Sequence, residues 1–329
     1  MNTALEFIPG DYFQLNTSKR HGEIRLGEQM HFGKPTADHH YLILGIEESI
    51  GPRANLGNAG AENAFKSFIS RFANMQSNSF LKGNEICLLG SIRAVETSEN
   101  IDSLRTSVLE LDTFVQAFIQ KNVQAHQKLI VIGGGHNNAL PIICAMHHIH
   151  QQQLDVVNLD PHADCRAPEG RHSGNSFSIA LEEKQLNSYS VLGLHKPYNN
   201  QKTLDFLDKN AVFHTFFEDY MLGKASLDNH TKTLATKLTS SPCIGLEIDM
   251  DAIAYMPSSA FSPSGFQLEE VRKYLHHMAT LSQVSYLHLP EAAPTNPNEE
   301  KIASKALAYL VWDFIYSCNQ AGHTPEPNR

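Results

Sequence analysis

The segment DVVNLDPHADCR is a strand-like run that ends in Asp160, His162 and Asp164, at spacing i, i+2, i+4. In extended backbone alternate side chains share a face, so all three can converge just past the carboxyl end of a strand. Singly, each would read as an ordinary turn residue. Together they would repel or desolvate one another unless a cation lay among them.

A second segment, CIGLEIDMDAI, repeats the pattern with Glu247, Asp249 and Asp251. Glu247 lies deeper in the run, so it ranks below the two aspartates: it can salt-bridge, or orient a ligand from behind. In a third segment, KLIVIGGGHNNALP, His136 follows an apolar run and three glycines at the entrance to a helix. A phosphate loop competes for GGG, but the Lys and Ser/Thr that it would place next are missing. His136 therefore reads as a ligand. Two histidines and four carboxylates form a mixed N/O set suited to Mn²⁺ or a related ion, and the lack of thiolates argues against structural zinc. The set suffices for two ions roughly 3.5 Å apart, which would generate a hydrolytic nucleophile from a bridging water.

The elements that must position these residues alternate along the chain. Short apolar runs at 40–46, 85–89, 128–132, 155–159, 189–194, 211–215, 243–248 and 284–289 give eight strand candidates. Helical stretches at 60–73, 98–120, 138–151, 203–208, 224–240, 267–280 and 299–318 fall between or after them. This alternation predicts an α/β fold, a three-layer α-β-α sandwich around a mostly parallel sheet of about eight strands, with ligands beyond the carboxyl ends of the strands. No linker, repeat or low-complexity run divides the 329 residues, so one domain is expected over 1–329. Residues 1–35 read as an arm that wraps a neighbour or covers the sheet edge, and 321–329 as a flexible tail.

Composition excludes several roles. A net charge of -9, from 26 basic and 35 acidic side chains, argues against nucleic acid as a partner. No segment approaches the roughly 18 apolar residues of a membrane span, and the start lacks the apolar core of an export signal. Five dispersed cysteines, none in a CxxC pair, fit a reducing compartment, so cytoplasm is expected. The eighteen histidines include three HH pairs, which read as solvated surface residues.

The three segments, in this order, resemble the metal-binding motifs of the ureohydrolase family, which includes arginase, agmatinase and formimidoylglutamase. The family's GGDH, DxHxD and SxDxD appear as GGGH at 133–136, DPHAD at 160–164 and EIDMD at 247–251, with Gly135 for Asp and Glu247 for Ser. The resemblance covers roughly 42–317. It implies two Mn²⁺ per chain, His136 and Asp164 on one and His162 and Asp251 on the other, with Asp160 and Asp249 shared, and a hydroxide bridging the pair. Asp164 would also pass a proton to the leaving nitrogen. LPEAAP resembles the family's late Glu motif, so Glu291 would face the amidine of the substrate; the alternatives are a helix cap or a surface bridge.

Within the family, Arg166 in a DxHxDxR context, the SGN turn at 173–175 and the GIEESIGPRANLGNAGA stretch at 45–61 look like formimidoylglutamases. Those enzymes cleave N-formimino-L-glutamate to glutamate and formamide in histidine degradation. By this resemblance Arg166 would bind a substrate carboxylate, Arg171 a second one, and Asn175 the same substrate; His172 would shuttle a proton or orient the loop. Solvated roles compete for Arg171 and His172, and Arg53 and Asn55 either line the pocket mouth or fix a turn. The rivals are an arginase, agmatinase or other guanidino-acid hydrolase, a catalytically silent metal or amidine sensor, and a purely structural domain. The family also suggests a homo-oligomer acting on a small amidine.

Overall fold

The computed structural model describes residues 3–13, 15, 17, 18 and 20–321. Ten strands lie in one sheet: β1 (Thr3–Pro9), β2 (His31–Phe32), β3 (Tyr41–Glu47), β4 (Ile86–Glu96), β5 (Lys128–Ile132), β6 (Leu154–Leu159), β7 (Leu186–Leu194), β8 (Phe213–Phe216), β9 (Ile244–Ile248) and β10 (Val284–Leu289). Their order is β1-β4-β3-β5-β10-β9-β6-β7-β8, with β2 paired to β4. All pairings are parallel except β1 with β4.

All eight expected strands are present, and the count rises to ten. The segment expected to be an arm supplies both additions: β1 extends the sheet edge, and β2 is two residues long. β1 escapes a sequence reading because its side chains alternate between partly covered and exposed, with Ile8 and not a continuous apolar run reaching the core. The last helix, Pro297–Ala321, reaches the first residue of the expected tail, whose other residues lie outside the described ones.

The central strands β6, β9 and β10 are buried along their whole length and mostly apolar, because both faces are covered. Ile130 and Ile132 of β5 enter one core cluster with Phe65, Phe68 and Phe72 of the helix Ala64–Ala73 and with Leu307, Leu310 and Phe314 of the last helix. Leu129 and Val131 enter the other cluster, with Val108, Leu111 and Val115 of Ile101–Asn122 and Ile142 and Ile143 of Ala139–His150. The period-2 alternation of β5 thus feeds two helix layers. Among the described residues no helix is long and apolar enough to cross a membrane.

Strands β5 and β6 follow one another in the chain but not in the sheet, where β10 and β9 stand between them. The connections diverge there and leave a crevice above the strand ends. Registers keep those ends level: Leu289 pairs with Ile132, and Leu159 with Ile248.

Candidate metal centre

His136 follows β5, Asp160 follows β6, Asp249 follows β9 and Glu291 follows β10, so four neighbouring strands deliver the sequence-predicted residues to the crevice. The turns that aim them are tight. Gly133 and Gly134 have positive φ (85° and 69°), as do the non-glycine residues Asp164 (46°) and Glu291 (68°). Such backbone costs energy for a side-chain-bearing residue, and it clusters at functional sites.

His136 Nδ1 stands 3.2 Å from Asp160 Oδ2, 3.0 Å from Asp164 Oδ2 and 3.0 Å from Asp249 Oδ2. One imidazole nitrogen holds at most one hydrogen, so three carboxylates cannot all be satisfied by it. These four ligand atoms lie within 4.8 Å of one another, with His136, Asp160 and Asp249 buried and Asp164 partly so. Beside them, His162 Nδ1 lies 3.5 Å from Asp160 Oδ1 and 3.9 Å from Asp251 Oδ2. All six sequence-predicted metal ligands are therefore brought together.

Electrostatics give the same picture. Burial raises the carboxyl groups of Asp164, Asp249 and Asp251, and Asp160 adds to this for all three. Burial also acts on Asp160, but hydrogen bonds from His136 and His162 outweigh it and hold that group low. For His162, burial opposes the charged ring, yet the hydrogen bond to Asp160 and the charges of Asp160, Asp251 and Asp164 lift it to about 10. Four closely set acids, three of them buried and Asp164 partly so, favour protons on their histidines and resist ionising together, which makes a donor set suited to divalent cations.

The supporting groups were not legible as such. Asn158 Nδ2 donates to Asp160 Oδ2 at 2.9 Å, the peptide N–H of Asp251 to Asp249 Oδ1 at 2.7 Å, and that of Ala260 to Asp251 Oδ1 at 3.1 Å. Tyr198 stacks on the ring of His162, centroids 5.4 Å apart. Glu291 accepts the peptide N–H of His136 at 2.6 Å on Oε1 and the Ser259 hydroxyl on Oε2. Burial, then the charge of Asp251, pushes its carboxyl group up to about 8. Glu247 is fully buried behind His136, the supporting position already open to it from the sequence.

A cavity of about 220 Å³ opens above these groups, lined among others by Asp164, Asp251, Glu291, Tyr198, Asn55 and Arg166. The half-exposed Arg166 guanidinium sits at this opening, donating to Asn55 Oδ1 at 3.1 Å and Glu169 Oε1 at 2.5 Å.

The remaining expectations for this loop need correction. Arg171 does not line the cavity: its guanidinium pairs with both oxygens of Asp112, at 2.6 and 3.2 Å, and donates to the carbonyls of His172 and Asn137 and to Asn175 Oδ1. A buried guanidinium must satisfy its donors inside the protein, which uses up Arg171 and also claims Asn175. Asn175 Nδ2 in turn donates to Gly170 O at 2.7 Å. His172 is buried, with Nδ1 accepting the Gly174 N–H at 3.1 Å, and burial followed by the charges of Arg166 and Arg105 lowers it to about 4. With Nδ1 engaged in its own loop and the ring absent from the cavity lining, the geometry favours the loop-orienting alternative over the shuttle. Arg53 donates to the carbonyls of Glu96 and Ser98 and so fixes a turn.

Known proteins share this fold. A formimidoylglutamase of Staphylococcus aureus is 25% identical over 285 residues, covering 83% of this chain and 85% of that protein. The crystal structure of formimidoylglutamase from Bacillus subtilis superposes with a TM-score of 0.77 at 15% identity, covering 93% of this chain and 95% of that one. Trypanosoma cruzi formiminoglutamase, crystallised with two Mn²⁺, gives 0.69 at 19% identity, over 90% and 98% of the two chains. The profile of the Arginase family matches residues 43–316, a span that holds every residue of the crevice, and the chain belongs to that family.

Proposed function

We propose that this chain hydrolyses a C–N bond of a linear amidine that carries carboxylates, with N-formimino-L-glutamate as substrate and L-glutamate and formamide as products. The observation that carries the substrate choice is Arg166, a guanidinium at the mouth of the cavity that Asp164, Asp251 and Glu291 also line. A fixed cation there suits an anionic substrate tail, and a guanidinium binds a carboxylate through two parallel hydrogen bonds. The names of the formimidoylglutamase relatives support the same reading.

Two divalent cations, Mn²⁺ by preference, would be held by His136 and Asp164 and by His162 and Asp251, with Asp160 and Asp249 shared, and would supply a water acidic enough to attack near neutral pH. The protein does the rest. Glu291 already accepts one hydrogen on each oxygen, and each keeps a lone pair for a planar amidinium. A bound amidinium favours the ionised form of this raised carboxyl group, which then aims the electrophilic carbon and offsets its positive charge. Asp164, whose strained backbone brings its carboxylate beside His136, hands a proton to the departing glutamate nitrogen. Arg166 holds the tail, and Tyr198 backs His162.

The free thiols of all five cysteines support a cytoplasmic setting. Family resemblance supports a homo-oligomer, which light scattering tests. The deciding experiment is product release from formiminoglutamate, arginine, agmatine and guanidinobutyrate, with Mn²⁺-loaded and chelated protein. Metal-dependent turnover of formiminoglutamate alone is expected. Preference for another amidine would overturn the substrate, and no turnover would favour a silent sensor.

A further inference from the structure

Behind His136, away from the three aspartates, lies a set of buried polar groups that the proposed reaction does not use. Glu247 of β9 pairs in register with His288 of β10. Its Oε2 lies 2.7 Å from His288 Nδ1 and 3.4 Å from His136 Nε2, and its Oε1 accepts the Tyr286 hydroxyl at 2.8 Å. Glu247, His288, Tyr286 and His136 are all fully buried. A carboxylate in such a place needs a reason, since an apolar core of similar volume is often more stable.

The reason follows from the two nitrogens of His136. A neutral imidazole carries one hydrogen, and the ring can serve a cation among Asp160, Asp164 and Asp249 only through a bare Nδ1. The hydrogen then sits on Nε2, which makes no hydrogen bond although Glu247 Oε2 lies only 3.4 Å away, so it is the direction of the N–H that falls short. A small tilt of the ring aligns it. Tyr286 and His288 fix the carboxylate from its other sides, so it is the ring that adjusts.

We propose that Glu247 is a positioning residue: it selects the tautomer and plane of His136, and so sets the affinity of the one metal position that His136 serves. His288 and Tyr286 complete the device by holding Glu247. The inference rests on the two-metal reading above. It predicts unequal effects on two ions whose ligands, Asp160 and Asp249 apart, differ. A carboxylate behind a ligating histidine typically accounts for 10- to 100-fold in metal affinity.

The test is calorimetric titration of chelator-stripped full-length protein with Mn²⁺, for the wild type, Glu247→Gln and Tyr286→Phe, beside thermal melts of the metal-free forms. The wild type must first take up two ions; if it takes none, the two-metal reading fails before Glu247 is tested. With two ions bound, Glu247→Gln is expected to weaken one of them by 10- to 100-fold and leave the other within threefold. Tyr286→Phe should shift the same ion in the same direction by less. Unchanged affinities in Glu247→Gln, or equal weakening of both ions, would overturn the proposal. Should Glu247→Gln fail to fold, Tyr286→Phe decides: a weakened single ion supports the proposal, and two wild-type affinities reject it.

Discussion

Glu48 accepts the peptide N–H of Gly135 at 2.7 Å on Oε1, which also takes Asn138 Nδ2, while its Oε2 takes the N–H groups of Ile50 and Gly51. A carboxylate at the end of β3 thus ties down the loop that carries His136. The family pattern puts an acid at 135 itself, but here a Cβ on Gly135 would lie 2.3 Å from Pro52 Cδ. Here the carboxylate that holds the loop comes from the end of a neighbouring strand, and Pro52 fills the space that a side chain at 135 would need.

Restoring the family residue should therefore harm this protein. Gly135→Asp is expected to cost about 1–3 kcal/mol, the usual range for overpacking a closed site. Urea unfolding of chelated protein measures it; stability at or above wild type would mean that Pro52 yields freely.

Arg171 and Asp112 make a stability prediction that separates structure from substrate binding. Arg171→Met leaves a buried carboxylate unpaired, at a cost of about 3–5 kcal/mol, and Asp112→Leu added to it should recover much of the loss. KM of the folded fraction should stay near wild type. A raised KM with little loss of stability would return Arg171 to the pocket.

Arg166 should behave in the opposite way. Removing a charge-assisted hydrogen bond of about 1.5–3 kcal/mol, Arg166→Met is expected to raise KM for formiminoglutamate roughly 10- to 150-fold with kcat nearly kept. Glu169→Gln frees the guanidinium and should lower KM. Steady-state kinetics on both variants reads this directly, and equal KM values would deny Arg166 its role.

Asp164→Asn tests proton delivery. The fold should survive by circular dichroism, while kcat falls by about 10²–10⁴. Turnover within tenfold of wild type would reassign the proton.

His172 predicts a pH effect on stability and none on the neutral pH–rate profile. Its folded-state value of about 4 lies below the ordinary value near 6.5. Between these limits the unfolded chain binds the extra proton, so stability falls as pH drops from about 6.5 to 4 and is unaffected above that window. His172→Asn keeps an acceptor for Gly174 but loses this dependence, and its melting temperature should decline less steeply with acid. Parallel slopes for the two proteins would show that His172 is not a source of the acid sensitivity.

The ligands were legible because a strand's period of two puts Asp160, His162 and Asp164 on one side whatever the rest of the chain does, and β5, β6 and β9 were readable as runs buried on both faces. Long-range partners leave no such trace. Nothing near Arg171 in sequence announces Asp112, 59 residues upstream, and nothing in EESIG tells Glu48 from Glu47, although one holds the His136 loop and the other binds Ser91 and Arg93. The short helices Ile50–Ala54, Ser176–Glu182 and Phe217–Met221 were missed because two turns or fewer carry too little periodicity.

Strand β10 is the tenth along the chain, yet it lies in the middle of the sheet. Before Val284–Leu289 emerges from the ribosome, β5 and β9 each present a bare apolar edge. The His136 loop also lacks its frame, since Gly133 N–H is bound by Leu289 O and Glu291 N–H by Gly134 O. Nascent chains therefore pass through a long interval in which unpaired edges invite association. Insertion of one late strand ends that hazard and assembles the cation site in the same event, so a truncated translation product would be both sticky and unable to retain metal.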